Sequence, residues 1–150
     1  MALDAQATVL LIDDEETILK MAGQRLRHAG FRVLTANNAP TGVVLAKAEH
    51  PDVILLDVMM PSMNGAGTLK NLKADPQTKD IPIIMLTAVG NEAEITASIA
   101  AGAICYLMKP YQTHELLNEI TMAVERHRMA HGLLYPEPPK PSDSNKNKTA

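Results

Sequence analysis

A doubly wound α/β fold, with five parallel strands covered by helices on both faces, is the architecture this sequence predicts. Three observations carry the prediction. Five short apolar runs recur along the chain, at Val9–Ile12, Phe31–Thr35, Val53–Leu56, Ile83–Leu86 and Ile104–Met108. Segments with helical spacing separate them. Four of the runs are almost unbroken, as expected for parallel strands buried on both faces.

The elements follow in chain order. The second run, FRVLT, is interrupted by Arg32 and reads as an edge strand. In the first helix Ile18, Ala22 and Leu26 share a face, and Gly30 provides a stop. Pro40 sits where the second helix would take its first turn, ahead of Val44, Leu45 and Ala48. Leu69 and Leu72 mark a short third helix. Asn91 is a suitable cap for the fourth, which carries Ile95 and Ile99 and stops at Gly102. Ile95, Ala97, Ile99 and Ala100 read as core-facing, with a partner or dimer face as the alternative. The fifth helix begins near Thr113 and lines up Leu116, Leu117, Ile120 and Val124. Strand–helix alternation implies right-handed crossovers. With the second strand at an edge, the flavodoxin-like order 2-1-3-4-5 fits best, and ligands of such folds bind beyond the carboxyl ends of the strands.

Composition narrows the function classes. The chain has 150 residues, 46% of them hydrophobic, with Phe31 and three tyrosines as the only aromatics. The net charge of -3 offers no basic footprint for nucleic acid. Cys105 stands alone among apolar neighbours and reads as a buried hydrophobe rather than a catalytic thiol. No segment has the pattern of a signal peptide or of a membrane span, so a cytoplasmic protein is expected. The boundaries read as an N-terminal extension over 1–7, one domain over 8–130, and a disordered tail or linker over 131–150. That last stretch is rich in Pro, Ser, Asn and Lys and has little to bury. No output domain is read after residue 130.

The chemistry gathers at the strand ends. The first run is followed by Asp13 and Asp14, and the third by Asp57. Three carboxylates meeting at one sheet edge repel one another, so a cation must join them. Lys109, at the end of the fifth run, is one candidate. A hard divalent ion is the other, because clustered carboxylate oxygens suit Mg²⁺, which also favours a phosphoryl oxygen as ligand. Thr87 ends the fourth run and offers a hydroxyl to such a phosphoryl group. Singly, each residue is an ordinary turn former, surface charge or β-branched strand residue. Acid, acid, hydroxyl and amine on four strand ends together point to a site.

These segments resemble the receiver domains of two-component response regulators, of the chemotaxis regulator type. The resemblance runs from about Thr8 to Arg128 and is carried by VLLIDDEE (Val9–Glu16), VILLDVMMPSMNG (Val53–Gly65), IPIIMLTA (Ile81–Ala88) and AGAICYLMKP (Ala101–Pro110). It implies that Asp57 accepts a phosphoryl group from a histidine kinase or a histidine phosphotransfer protein. It implies Mg²⁺ held by Asp14, Asp57 and the backbone carbonyl of Met59, with Asp13 acting through water. Lys109 would pair with a phosphoryl oxygen, Thr87 would bond another, and Tyr106 would turn inward behind it. The Lys109–Pro110 bond would be a cis peptide. The implied output surface, for a protein target or a homodimer, is the face of the fourth helix, fifth strand and fifth helix.

The chain departs from the family pattern at a few places. Asn64 stands where an Asp often precedes the glycine. Met59 and Val89 are apolar at positions that tune phosphate hydrolysis, so slow self-dephosphorylation is expected. Other classes fit less well. A phosphatase with an aspartyl-phosphate intermediate would want a second acid close to Asp57, where Val58 and Met59 stand. A flavin-binding fold-mate would want a glycine- or hydroxyl-rich loop in place of DDEET. A degenerate receiver usually lacks an acid or the lysine, and this chain has them all. The expectation is a signalling domain that catalyses only its own phosphorylation and dephosphorylation.

Overall fold

The computed structural model of the chain describes residues 6–57, 59–60, 63–88, 92–109 and 111–130. The expected cap Asn91, the Lys109–Pro110 bond, Val89, most of the N-terminal extension and the tail over 131–150 lie outside the described residues. Along the described chain run β1 (Thr8–Ile12), α1 (Glu16–His28), β2 (Arg32–Ala36), α2 (Ala39–Glu49) and β3 (Val53–Asp57). Next come the short strands β4 (Met59–Met60) and β5 (Met63–Asn64), then α3 (Gly65–Ala74), β6 (Ile83–Ala88), α4 (Glu92–Ala100), β7 (Cys105–Lys109) and α5 (Thr113–Ala130). Five strands form one parallel sheet in the order β2-β1-β3-β6-β7, while β4 and β5 pair separately and antiparallel. Counting the sheet strands alone, this is the expected order 2-1-3-4-5.

Strand burial explains the run patterns. All residues of β1 and β3 are buried, whereas β2 and β7, at the two edges of the sheet, are only partly covered. Side-chain alternation along β1 then divides the core in two. Val9 and Leu11 join α1 and α5 residues such as Leu26, Ile120 and Val124 on one face. Leu10 and Ile12 join Ala46, Leu69 and Leu72 on the other.

Helix termini follow local chemistry. Asn38 caps α2 by accepting the Thr41 N–H at 2.8 Å, with Pro40 in the first turn as expected. Gly30 and Gly102 stand after α1 and α4 at φ of +104° and +116°, conformations that a side chain would strain. α5 continues through Arg128 to Ala130. There the Arg128 guanidinium, almost fully buried, donates to both carboxylate oxygens of Asp52 at 3.3–3.4 Å. Asp52 also accepts the Thr8 N–H at 2.9 Å, which ties the end of α5 to the starts of β1 and β3.

Side chains on three helices are oriented differently from the sequence reading. In α1 the most buried residues are Leu19, Gly23 and Leu26, with Ile18 and Ala22 only partly covered. Val44 is 63% exposed, because the close approach of α2 to the sheet is made through Gly42 and Ala46 instead. In α4 the core-facing assignment fails for Ala97, Ile99 and Ala100, which are exposed. Ile95 is half-buried, and the deeply buried residue is Ser98. α4 is so short and so rich in small residues that its periodicity did not single out a face.

The Ser98 hydroxyl is buried and has no hydrogen-bond partner. Ser98→Ala is therefore expected to raise stability by about 1 kcal/mol, since it removes a desolvated hydroxyl without opening much space. Urea unfolding reads this as a higher midpoint, and a lower midpoint would refute it. Cys105 is also half-buried, and burial next to Glu119 pushes its thiol from 9.0 up to about 12. At pH 8 the thiolate is scarcer than in an ordinary cysteine by about a thousandfold. Alkylation of the folded chain should be clearly slower than alkylation of the unfolded chain.

Candidate functional site

The carboxyl ends of β1, β3 and β7 bring the expected charged groups together. Ile12 ends β1 level with Leu56, so Asp13 follows beside Asp57, the last residue of β3. The Asp13 N–H bonds the Ala36 carbonyl at 3.1 Å, which carries the β1–β2 ladder one residue further. Asp57 in turn lies level with Leu86, one residue before Thr87 on β6. Lys109 ends β7 level with Ala88. From there its side chain reaches past β6 and donates to Asp57 Oδ2 at 3.2 Å, with Asp13 Oδ2 at 3.6 Å.

Burial makes these charges matter. Asp57 is 3% exposed, Asp13 and Thr87 are fully buried, and Asp14 is half-exposed at the mouth. Asp13 Oδ1 accepts the Glu15 N–H at 2.9 Å, whereas its Oδ2 has no hydrogen-bond partner. Burial, chiefly, raises the Asp13 carboxyl from 3.8 to about 6. The Glu15 N–H and Lys109 oppose that rise and the Asp57 charge adds to it. Burial also disfavours the Lys109 ammonium, yet the pull of Asp57 and Asp13 outweighs it and holds the lysine pKa above its ordinary value. Lys109 is thus firmly cationic, and one ammonium faces three acids.

That imbalance fits a divalent cation. Asp13, Asp14 and Asp57 can each offer a carboxylate oxygen with all three oxygens within 4.8 Å of one another. An all-oxygen set of this kind, in which Asp13 Oδ2 lies 3.6 Å from Lys109 Nζ and accepts no hydrogen bond among the described residues, suits Mg²⁺. Asp13 belongs to the cluster by position, whereas the sequence reading gave it only a water-mediated part. Met59 begins β4 two residues after Asp57 and pairs with Asn64. Tyr106 is level with Met85 and 40% exposed, so its ring stands at the surface of β7. Tyr111 was not singled out by sequence. It is half-buried against the core and close enough to Lys109 for the ammonium to act on its phenol, although burial dominates and raises its pKa. Its position just beyond Lys109 was the available signal.

Comparison with known proteins agrees with this geometry. The response regulator receiver domain family matches residues 9–121. The phosphate regulon transcriptional regulatory protein PhoB of Pseudomonas aeruginosa is 38% identical over 119 residues, covering 79% of this chain and 52% of that protein. The probable transcriptional regulator ycf27 of Guillardia theta is 37% identical over 128 residues, covering 85% of this chain and 49% of that protein. The crystal structure of chemotaxis protein CheY4 of Vibrio cholerae superposes with a TM-score of 0.75 at 34% identity, covering 79% of this chain and 99% of that one. The chain spans about half the length of such curated relatives.

Proposed function

The chain belongs to the response regulator receiver domain family, and on that premise we propose that it is a phosphoryl-accepting switch with Asp57 as the acceptor. The observation that carries this reading is the convergence on Asp57 of Lys109 from one side and Asp13 and Asp14 from the other. The phosphodonor is a histidine kinase or a histidine phosphotransfer protein.

A carboxylate oxygen of Asp57 attacks the phosphorus of a phosphohistidine. The P–N bond breaks as the P–O bond forms, and the imidazole leaves with the electron pair. Lys109 is already aimed at the acceptor oxygen and offers its positive charge to a phosphoryl oxygen as the group arrives. Thr87, on the strand between, bonds a second phosphoryl oxygen through its hydroxyl. Asp13, Asp14, Asp57 and the Met59 carbonyl would hold Mg²⁺, which when bound supplies charge neutralisation at the phosphoryl oxygens. Burial of Asp57 keeps competing water sparse around the acceptor.

The readout is a change in surface. Thr87 drawn toward the phosphoryl group vacates space behind it, and Tyr106 turns inward from its exposed position. The affected face carries Ile99, Ile104, Tyr106, Met108 and Met122, exposed apolar side chains of α4, β7 and α5 and the loop between. A protein target, or a second copy of the chain, docks there. The chain is not an enzyme toward other substrates, binds no nucleic acid through this domain, and works in the cytoplasm. No described helix is long and apolar enough to cross a membrane.

Transfer from a phosphohistidine donor carrying radiolabelled phosphate tests the reading. Label should pass to this chain with Mg²⁺ present and stay on the donor in EDTA. Label that stays on every histidine donor tried, with Mg²⁺ present, rejects it. The apolar residues Met59 and Val89 offer no hydrogen bond to an attacking water, so the acyl phosphate should decay slowly. Val89→Glu is expected to shorten its lifetime several-fold, and an unchanged decay rate would count against that role.

A further inference from the structure

The corner between β2 and α2 grips the acid loop at three points, and the phosphoryl chemistry proposed above uses none of them. First, Ala36, the last residue of β2, accepts the Asp13 N–H. Second, Asn37 donates through Nδ2 to Glu16 Oε2 at 2.7 Å, fastening the corner to the start of α1 directly after Asp13, Asp14 and Glu15. The Asn38 side chain donates to Asn37 Oδ1 at 2.8 Å, and this sets the Asn37 amide with its nitrogen toward Glu16. Third, Gly42 of α2 lies against Ile12, the residue before Asp13. A Cβ at position 42 would stand 2.5 Å from Ile12 Cδ1 and 2.9 Å from its Cγ1. Ile12 is fully buried, so it has little room to yield.

The acid loop needs such a grip. Like charges at Asp13, Asp14 and Asp57 push the loop away from β3, and a flexible loop would let them separate before a cation arrives. A cation site binds well when its ligands are held in place by their neighbours. We propose that the β2–α2 corner is the positioning frame of the acid loop. In it Gly42 acts through Ile12, and Asn37 through Glu16, to keep Asp13 and Asp14 at cation-binding distance from Asp57. Neither Gly42 nor Asn37 touches the reacting atoms, so both are positioning residues. The Asn37 bond also keeps the Glu16 carboxylate engaged outside the cluster. The proposal rests on the reading of the three acids as a Mg²⁺ site.

Calorimetric titration of the full chain with Mg²⁺ tests it on wild type, Asn37→Ala, Gly42→Ala and the double variant Ile12→Val/Gly42→Ala, with the thermal midpoint of each taken in EDTA. Asn37 is exposed, so its replacement should leave the metal-free midpoint within about 2 °C of wild type. Its Mg²⁺ affinity should fall severalfold, at most about tenfold, because Asn37 acts through Glu16 and stands one residue further out than a direct partner of a metal ligand. Gly42→Ala should lose more, and Ile12→Val in the same chain should restore part of the loss, because it removes the Cδ1 methyl 2.5 Å from the new Cβ while the Cγ1 carbon at 2.9 Å stays. Wild-type Mg²⁺ affinity in Asn37→Ala overturns the proposal, whether or not Gly42→Ala folds. A wild type that binds no Mg²⁺ overturns the cation site itself, and the frame with it.

Discussion

Asp57→Asn takes phosphoryl uptake to background while the protein stays folded. Asn has the shape of Asp, and position 57 is buried at a strand end where shape is what the packing demands. The amide is no nucleophile toward phosphorus, and no second acid follows it in the chain, where Val58 and Met59 stand. Among the described residues, the carboxylates clustered with it are those of Asp13 and Asp14, and they belong to the cation cluster. Losing the Asp57 charge relieves repulsion on Asp13, so the Asp13 carboxyl should fall below about 6 while staying above its ordinary value, because burial is the larger cause. Thermal stability should not drop, since one of three crowded negative charges has gone. Transfer assays with a phosphohistidine donor check the first expectation. NMR titration of the Asp13 carboxyl checks the second.

Arg128→Ala carries the second large effect, and it falls on stability rather than on chemistry. The Arg128 and Asp52 side chains are 7% and 15% exposed, so truncating the arginine leaves a largely buried carboxylate whose remaining hydrogen bond among the described residues is from the Thr8 N–H. Breaking a pair of this kind costs about 3 kcal/mol. The clamp sits at the amino ends of the strands, opposite Asp57, so phosphoryl uptake by folded protein should be unchanged. Urea unfolding of Arg128→Ala, Asp52→Ala and the double variant reads the coupling. The double variant should cost clearly less than the two singles added together, because either truncation already strands the other partner. A loss below about 1 kcal/mol in Arg128→Ala would mean the pair is no better than a surface one.

What was legible in the sequence and what was not divides along physical lines. Val9–Ile12, Val53–Leu56 and Ile83–Leu86 announced central strands because burial on both faces demands unbroken aliphatic runs. Arg32 in the second run marked an edge for the same reason. The convergence of the acids and Lys109 was legible because strand ends in a parallel sheet must meet at one rim, whatever the loops do. The orientation of α4 was not, since a helix with alanines on several sides has no single apolar stripe. Nor was the Asp52–Arg128 clamp, whose partners are separated by 76 positions, without motif or periodicity. Gly42 was equally silent. A glycine in a helix reads as a weak point in sequence, and only the packing against Ile12 turns it into a requirement. The partial burial of Asp14 against the complete burial of Asp13, in adjacent identical residues, likewise comes from the corner that holds one of them and not from the residue type.

The central claim is that Asp57 is a Mg²⁺-dependent phosphoryl acceptor, and the most direct test is the intact mass of the wild-type chain after incubation with a small phosphodonor, followed by mapping of any adduct. The account predicts the mass of a single phosphoryl group, located on Asp57, formed with Mg²⁺ and lost in EDTA. Folded protein that gains no mass with Mg²⁺ present, or an adduct on another residue, would contradict it.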